Sequence, residues 1–328
     1  MDVLQHRIYI GIYNTAMPDF IHDLPAARQL FEIIAAEKGI PASVVEKDYW
    51  VMHCLWGLIH GGFQYEMKGG TSLSKGWRCI DRFSEDIDIR FIPPEGLETR
   101  KDKPEQKTVR LAFYQSISDS ISIPGVTATR LFSVDDEKAH NAGISLAYSS
   151  HFPVLEGLKP IVLLELGFAR TAPFEELTIS SWAYDRVQKT KIAVVDNRAV
   201  GVRCFVPEYT FVDKLQTVCR RYRQHRDRQS EFDRPRQFVR HYYDLYCLLN
   251  MERVKNFIGT PEYTSYLAEK ISGLDKAVFV SRKALTFPDQ AEFLLYEREF
   301  VSLQSLLLSP GPTFVQVVTR LRDISPCL

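Results

Sequence analysis

The stretch KGGTSLSKGWRCIDRFSEDIDIR, residues 68–90, decides the fold. Its second half, Asp86-Ile87-Asp88-Ile89, alternates polar and apolar with the period of a half-buried strand. Residues two apart on a strand share a face, so Asp86 and Asp88 project together while Ile87 and Ile89 turn to the core. Two carboxylates this close repel each other, and a cation between them removes that cost. Hard oxygen donors suit magnesium, which is commonly held by one or two carboxylates together with substrate phosphates. The first half, Gly69-Gly70-Thr71-Ser72, is a glycine turn with hydroxyls. Glycine admits positive φ and close approach to the backbone, and successive N–H groups in such a turn form an anion-binding concavity. Residues 71–77 read as a short helix, whose N-terminus also favours phosphate.

Working outward, residues 64–68 read as the strand entering the turn, and Pro93-Pro94 ends the strand that leaves it. Upstream, 24–38 and 41–60 read as helices stopped by Gly39 and Gly61-Gly62. The second of these carries Glu46-Lys47-Asp48-Tyr49-Trp50, read as a helix surface around a buried Trp50, with contact to the site as the alternative. Downstream, 96–108 reads as a polar loop and 109–120 as a helix. Residues 125–133 and 143–149 read as strands, 160–168 as a strongly buried strand containing one carboxylate, Glu165, and 198–206 as another strand. Pro207 opens a helix to about residue 223, and 238–249, 261–271, 289–306 and 313–324 are further helices. From Lys214 through Arg240 there are nine Lys or Arg against three Asp or Glu, a local basic cluster suited equally to nucleic-acid phosphates or to solvent.

A phosphate cradle followed 16 residues later, from Gly70 to Asp86, by a carboxylate pair is what nucleotidyl transfer requires. The stretch resembles the nucleotidyltransferase toxins of the AbiEii/AbiGii family, in the DNA polymerase β-like nucleotidyltransferase superfamily. Residues 68–75 and 81–88 carry the resemblance, which extends to 46–51, to Lys214 and to 240–245, and so covers about residues 40–250. It implies an α+β fold: a mixed-sheet nucleotidyltransferase core over 41–207, an N-terminal helical lead over 1–40 and a helical C-terminal domain over 208–328. It implies Asp86, Asp88 and Glu165 as ligands of one or two Mg2+ ions. The alternative for Glu165 is an ion pair at the strand end, for instance with Arg170. It also implies nucleotide binding by Gly69, Gly70, Thr71, Ser72, Lys75 and Arg240, and a catalytic Lys214 near the triphosphate. Asp244 would orient Lys214 or Arg240. The family pattern has Asp where this chain has His241, which leaves that position's role open. The implied partners are an NTP, an RNA acceptor such as tRNA, and a cognate antitoxin, in a toxin–antitoxin or phage-defence setting.

Other readings are a catalytically inert nucleotide-binding or interaction module, and a carboxylate-based hydrolase using Asp86 and Glu165. The hydrolase gives no reason for the glycine turn. Composition bounds the rest. The 328 residues are 45% hydrophobic and 25% charged, with zero formal net charge, so no global field draws nucleic acid. Residues 1–20 lack an uninterrupted apolar core, and no run reaches the length of a membrane span, so a cytoplasmic protein is expected. The six cysteines include no CxxC pair and read as reduced thiols.

Overall fold

The protein is described by a computed structural model over residues 18–99, 103–155, 157–168, 172–227, 235–303 and 307–328. Residues 1–17 of the expected N-terminal lead, Arg170 and residues 228–234 of the basic cluster lie outside the described residues.

Helix α1 (Ala27–Lys38) ends at Gly39 in the left-handed region, φ 67°. Helix α2 (Ala42–His60) follows Pro41. The chain then enters strand β1 (Tyr65–Lys68), a single turn α3 (Gly69–Thr71) and, after a long connection, strand β2 (Ile87–Phe91). Helix α4 (Pro104–Ser120) starts five residues before the expected point, with Pro104 at its first position. The two expected strands, β3 (Val126–Arg130) and β4 (Asn141–Tyr148), pair as a hairpin, and the Asp136 carboxylate accepts N–H groups from Lys138, His140 and Asn141 in its turn. β5 (Val162–Gly167) is the buried strand.

In the sheet-bearing part of the chain two elements are not expected from the sequence, β6 (Phe174–Ile179) and α5 (Trp182–Val187); in the helical part the short helices at Glu252–Phe257, Gly273–Ser281 and Lys283–Thr286 are likewise unexpected. β6 is a largely exposed edge strand, so its Phe-Glu-Glu-Leu pattern carries little apolar alternation. β7 (Ala199–Phe205) leads into α6 (Pro207–Arg226). The helical remainder comprises α7 (Pro235–Phe238), α8 (Arg240–Leu248), α9 (Glu252–Phe257), α10 (Pro261–Lys270), α11 (Gly273–Ser281), α12 (Lys283–Thr286), α13 (Gln290–Val301) and α14 (Phe314–Ile324).

The strands make one mixed sheet in the order β3-β4-β5-β2-β1-β7-β6. β2 runs antiparallel to β1 and parallel to β5. Ile87, Ile89 and Phe91 are buried while Asp88 and Arg90 are half-buried, so the strand's two-residue period sets which face carries charge. Two apolar cores result. The first joins the sheet to α1 and α2, through Phe31, Ile34, Tyr49, Leu55, Ile87, Leu164 and Cys204 among others. The second joins α6, α8, α13 and α14 through Phe211, Leu215, Tyr242, Tyr296 and Phe314. It also takes in Leu73 and Ile80 from the connection between β1 and β2. That connection therefore runs from one core to the other and back before delivering Asp86.

Candidate active site

Strand register assembles the carboxylates. Lys68, Asp88 and Glu165 lie in one row across β1, β2 and β5, and Asp86 immediately precedes β2. Glu165 shares a side-chain hydrogen bond with Asp88 and is pushed up to about 7, first by burial and then by the Asp88 and Asp86 charges. Burial also holds Asp86 above the ordinary carboxylate range, against the pull of Lys159. The Lys159 ammonium lies 2.6 Å from Asp86 Oδ2. Asp86 Oδ1 is buried and has no hydrogen-bond partner.

The glycine turn is built against these groups. Gly69 has φ +75°, and a Cβ there would lie 2.1 Å from Asp88 Oδ2. A Cβ at Gly70 would meet Arg82 Nη2 at 2.6 Å and Ser84 Oγ at 2.7 Å. Close approach demands both glycines, and at Gly69 backbone freedom does so too. The buried Thr71 hydroxyl donates to the carbonyl of Asp86 and lies 3.0 Å from the Ser84 hydroxyl, from which it can accept, and this ties the turn to the carboxylate strand. Ser72 is also buried. The helical turn over 72–76 is widened, with Trp77 N–H donating to the Ser72 carbonyl five residues back.

A second charged cluster faces the first. Arg82 Nε and Nη2 bond Asp244 Oδ1 and Oδ2 at 2.7 and 2.9 Å, a bidentate pair. Lys214 Nζ lies 2.8 Å from Asp244 Oδ2 and 3.3 Å from His241 Nδ1. Asp244 is fully buried. Burial alone would raise it, but Arg82 and Lys214 outweigh that and hold it far below the carboxylate range. Burial lowers Lys214 and, with Lys214 beside it, leaves His241 neutral. His241, where the family pattern has Asp, thus accepts from the lysine instead of adding a negative charge.

A small cleft of about 130 Å³ is lined by Gly70, Arg82, Asp86, Asp88, Lys214 and Arg240, together with His241 and residues 157–158. Of the expected site residues, the structure brings together here Gly70, Asp86, Asp88, Lys214 and Arg240, with Gly69 and Glu165 against Asp88 and Asp244 behind Lys214. Lys75 is elsewhere: it pairs with Asp48 of α2 and lines an adjoining cavity of about 450 Å³ with Arg78, Ser180 and Trp182. Arg82, Phe83 and Ser84 border both spaces. Asp244 holds Arg82 and Lys214, while Arg240 is exposed.

Sequence reading misses three supports. Arg82 and Glu85 stand inside the quoted motif but have no visible partner there. Lys159 has no signal at all. Helix α2 is not a surface either, because Glu46, Lys47 and Asp48 are each 1% exposed. Lys47 donates to Glu85 Oε2 at 2.7 Å and to the carbonyls of Lys159 and Ile161. Glu46 accepts from Ser150 Oγ and His151 N–H, and Asp48 from Trp182 N–H.

The carboxylates fit a divalent cation: hard oxygens, one of them an orphaned buried atom, and a Glu165 raised by burial and by the charges of Asp88 and Asp86, which a cation would offset. Among the described residues, however, no three His, Cys, Asp or Glu side chains are already set around a common ion position.

This α+β sheet, with its glycine turn against a strand-borne carboxylate pair, is that of a nucleotidyltransferase fold. A family model described as "Nucleotidyl transferase AbiEii toxin, Type IV TA system" matches residues 63–293, and the chain belongs to this AbiEii family. Membership carries the nucleotidyltransferase class and the type IV toxin–antitoxin setting. No curated protein matches the chain. Among the described residues no helix is long and apolar enough to cross a membrane.

Proposed function

We propose that this protein transfers an NMP from an NTP to an acceptor hydroxyl with Mg2+, that RNA such as tRNA is the favoured acceptor, and that a cognate antitoxin restrains it in the cytoplasm. The observation that carries this reading is the register of Asp88 with Glu165, one residue pair beyond Asp86 and its orphaned oxygen, against the Gly69-Gly70 turn.

Asp86, Asp88 and Glu165 would hold the magnesium, which supplies charge neutralisation at the attacking and leaving oxygens. The chain's own residues do the rest. Lys214, oriented by Asp244, and exposed Arg240 present positive charge to the phosphates from the opposite wall of the cleft. The turn at Gly69–Ser72 offers backbone N–H groups rather than hydroxyls, since Thr71 is committed to Asp86 and Ser72 is buried. The cleft holds little more than the reacting phosphates, so the remainder of the nucleotide extends into the adjoining cavity past Arg82–Ser84, towards Lys75. Rate then comes from positioning and charge, with in-line attack at the α-phosphorus and departure of pyrophosphate. The two apolar cores support a boundary near residue 207 between catalytic and helical parts.

The Lys159–Asp86 ion pair favours one competing reading, an inert nucleotide-binding module whose metal position is filled by a side chain. A single experiment separates the two. Each α-labelled NTP is incubated with Mg2+ and total cellular RNA, beside Asp86→Asn. The expected result is labelled RNA with the wild type and none with the variant. Pyrophosphate release without labelled RNA moves the acceptor to protein or a small molecule. NTP binding with neither signal establishes the inert module.

A further inference from the structure

Lys159, whose ammonium sits on Asp86 of the cleft, is held differently from the cleft's own Lys214. The Lys159 backbone is fixed on both sides. Lys47, itself buried, donates to the carbonyls of Lys159 and Ile161, and the Lys159 N–H donates to Glu85 Oε2 at 2.9 Å. Its side chain is 41% exposed and ends on Asp86 Oδ2. Lys214, by contrast, is buried and already engaged by Asp244 and His241. Lys159 is therefore a long flexible stem on a rigid base, with its ammonium on one oxygen of a carboxylate whose other oxygen has no partner. Gly157 and Leu158, just before it, line the same cleft.

We propose that Lys159 is an internal counter-ion that holds Asp86 in the nucleotide-free protein, gives it up when a divalent cation enters, and then grips a phosphate oxygen of the incoming nucleotide. The inference rests on the reading of the cleft given above. Lysine suits such a role, because four rotatable bonds and a compact charge let the ammonium leave one oxygen for another while the backbone stays clamped. A half-exposed ion pair is weak enough for a divalent cation to displace. While it lasts, it lowers the repulsion among Asp86, Asp88 and Glu165 that would otherwise oppose folding of the empty site.

The test is Mn2+ binding to nucleotide-free protein, followed by the paramagnetic resonance signal of the free ion, in the wild type, Lys159→Met, Arg240→Met and Asp86→Asn. Lys159→Met should bind Mn2+ about three- to tenfold more tightly, the range set by loss of a partly exposed ion pair. Arg240→Met removes a charge from the same cleft without touching Asp86 and should change affinity less than about twofold. In steady state, Lys159→Met should raise KM for the NTP about tenfold, and Lys159→Arg should restore it. Equal Mn2+ affinity in the wild type and Lys159→Met, or an equal gain in Arg240→Met, overturns the proposal and reduces Lys159 to background charge. If Asp86→Asn leaves wild-type Mn2+ binding unchanged, the metal reading of the cleft fails, and the counter-ion role falls with it.

Discussion

Gly69 shows how one residue serves both backbone and chemistry. Gly69 and Gly62 share nearly the same positive φ, 75° and 77°, but a Cβ at Gly62 meets nothing within 4 Å while one at Gly69 strikes Asp88. Alanine at either position costs on the order of 1–2 kcal/mol of left-handed strain. Only Gly69→Ala also displaces a carboxylate. It should lower kcat about a hundredfold, the cost of an ångström-scale misplacement, whereas Gly62→Ala should lose stability and keep activity. Parallel melts and turnover measurements decide it, and matched activity losses would refute the contact argument. At this scale the sequence is readable where chemistry is local. The Asp-x-Asp alternation and the double glycine both stand in one segment. It is silent where the partner is distant: Arg82 and Asp244 lie 162 residues apart, and Lys159 meets Asp86 across 73.

Helix α2 is the element whose role sequence reading judges least well. Three consecutive charged residues on a helix point in three directions, and a surface is the ordinary home for them. Here each direction meets a different connection: Glu46 the 150–152 segment, Lys47 the stretches at 85 and 159–161, Asp48 the residues Lys75 and Trp182. The helix is a hub that sets the loops around the site. Removing Lys47 takes from Glu85 its paired cation and from two carbonyls a donor, leaving Glu85 the Lys159 N–H, and Lys47→Met should cost about 3–5 kcal/mol. Glu85→Gln alone should also destabilise, and the double variant should cost at least about 1 kcal/mol less than the sum of the singles. Denaturant melts on the four proteins measure this, and additivity would mean the network is not coupled. The edge strand β6 escapes sequence reading for the opposite reason: exposure on both faces erases the alternation that betrays β2 and β5.

For the molecule as a whole, acid is expected to act through the N-terminal side of the sheet core. His53 is buried, donates from Nε2 to the Pro124 carbonyl at 2.9 Å and accepts at Nδ1 from Asn197. Both nitrogens are used by the neutral ring, so a second proton has no place. Burial lowers His53 to about 4, and His22, bonded to the Tyr49 hydroxyl, is lowered to about 4 as well. Because the folded value lies below the unfolded one of about 6.5, this stability is complete above pH 6.5 and drains away as the pH falls towards 4. At about pH 5 the unfolded chain binds a proton that the fold refuses, worth about 2 kcal/mol for His53. Urea melts at pH 7 and pH 5 should show that loss, and His53→Gln should flatten it; an unchanged slope would place the acid sensitivity elsewhere.

The long connection between β1 and β2 gives the chain a further property. Leu73 and Ile80 lie in the helical core, and Asp81 is held there by Tyr243 and by the 308–309 segment before the chain returns as Asp86. A polypeptide cut near residue 207 would uncover those two apolar side chains and strip Arg82 of its carboxylate. The catalytic sheet is consequently not a portable module. Any recombination that replaced the helical half would have to bring, at one stroke, an apolar seat for a borrowed loop and an acid where Asp244 now stands. Inheritance of this architecture is all or nothing.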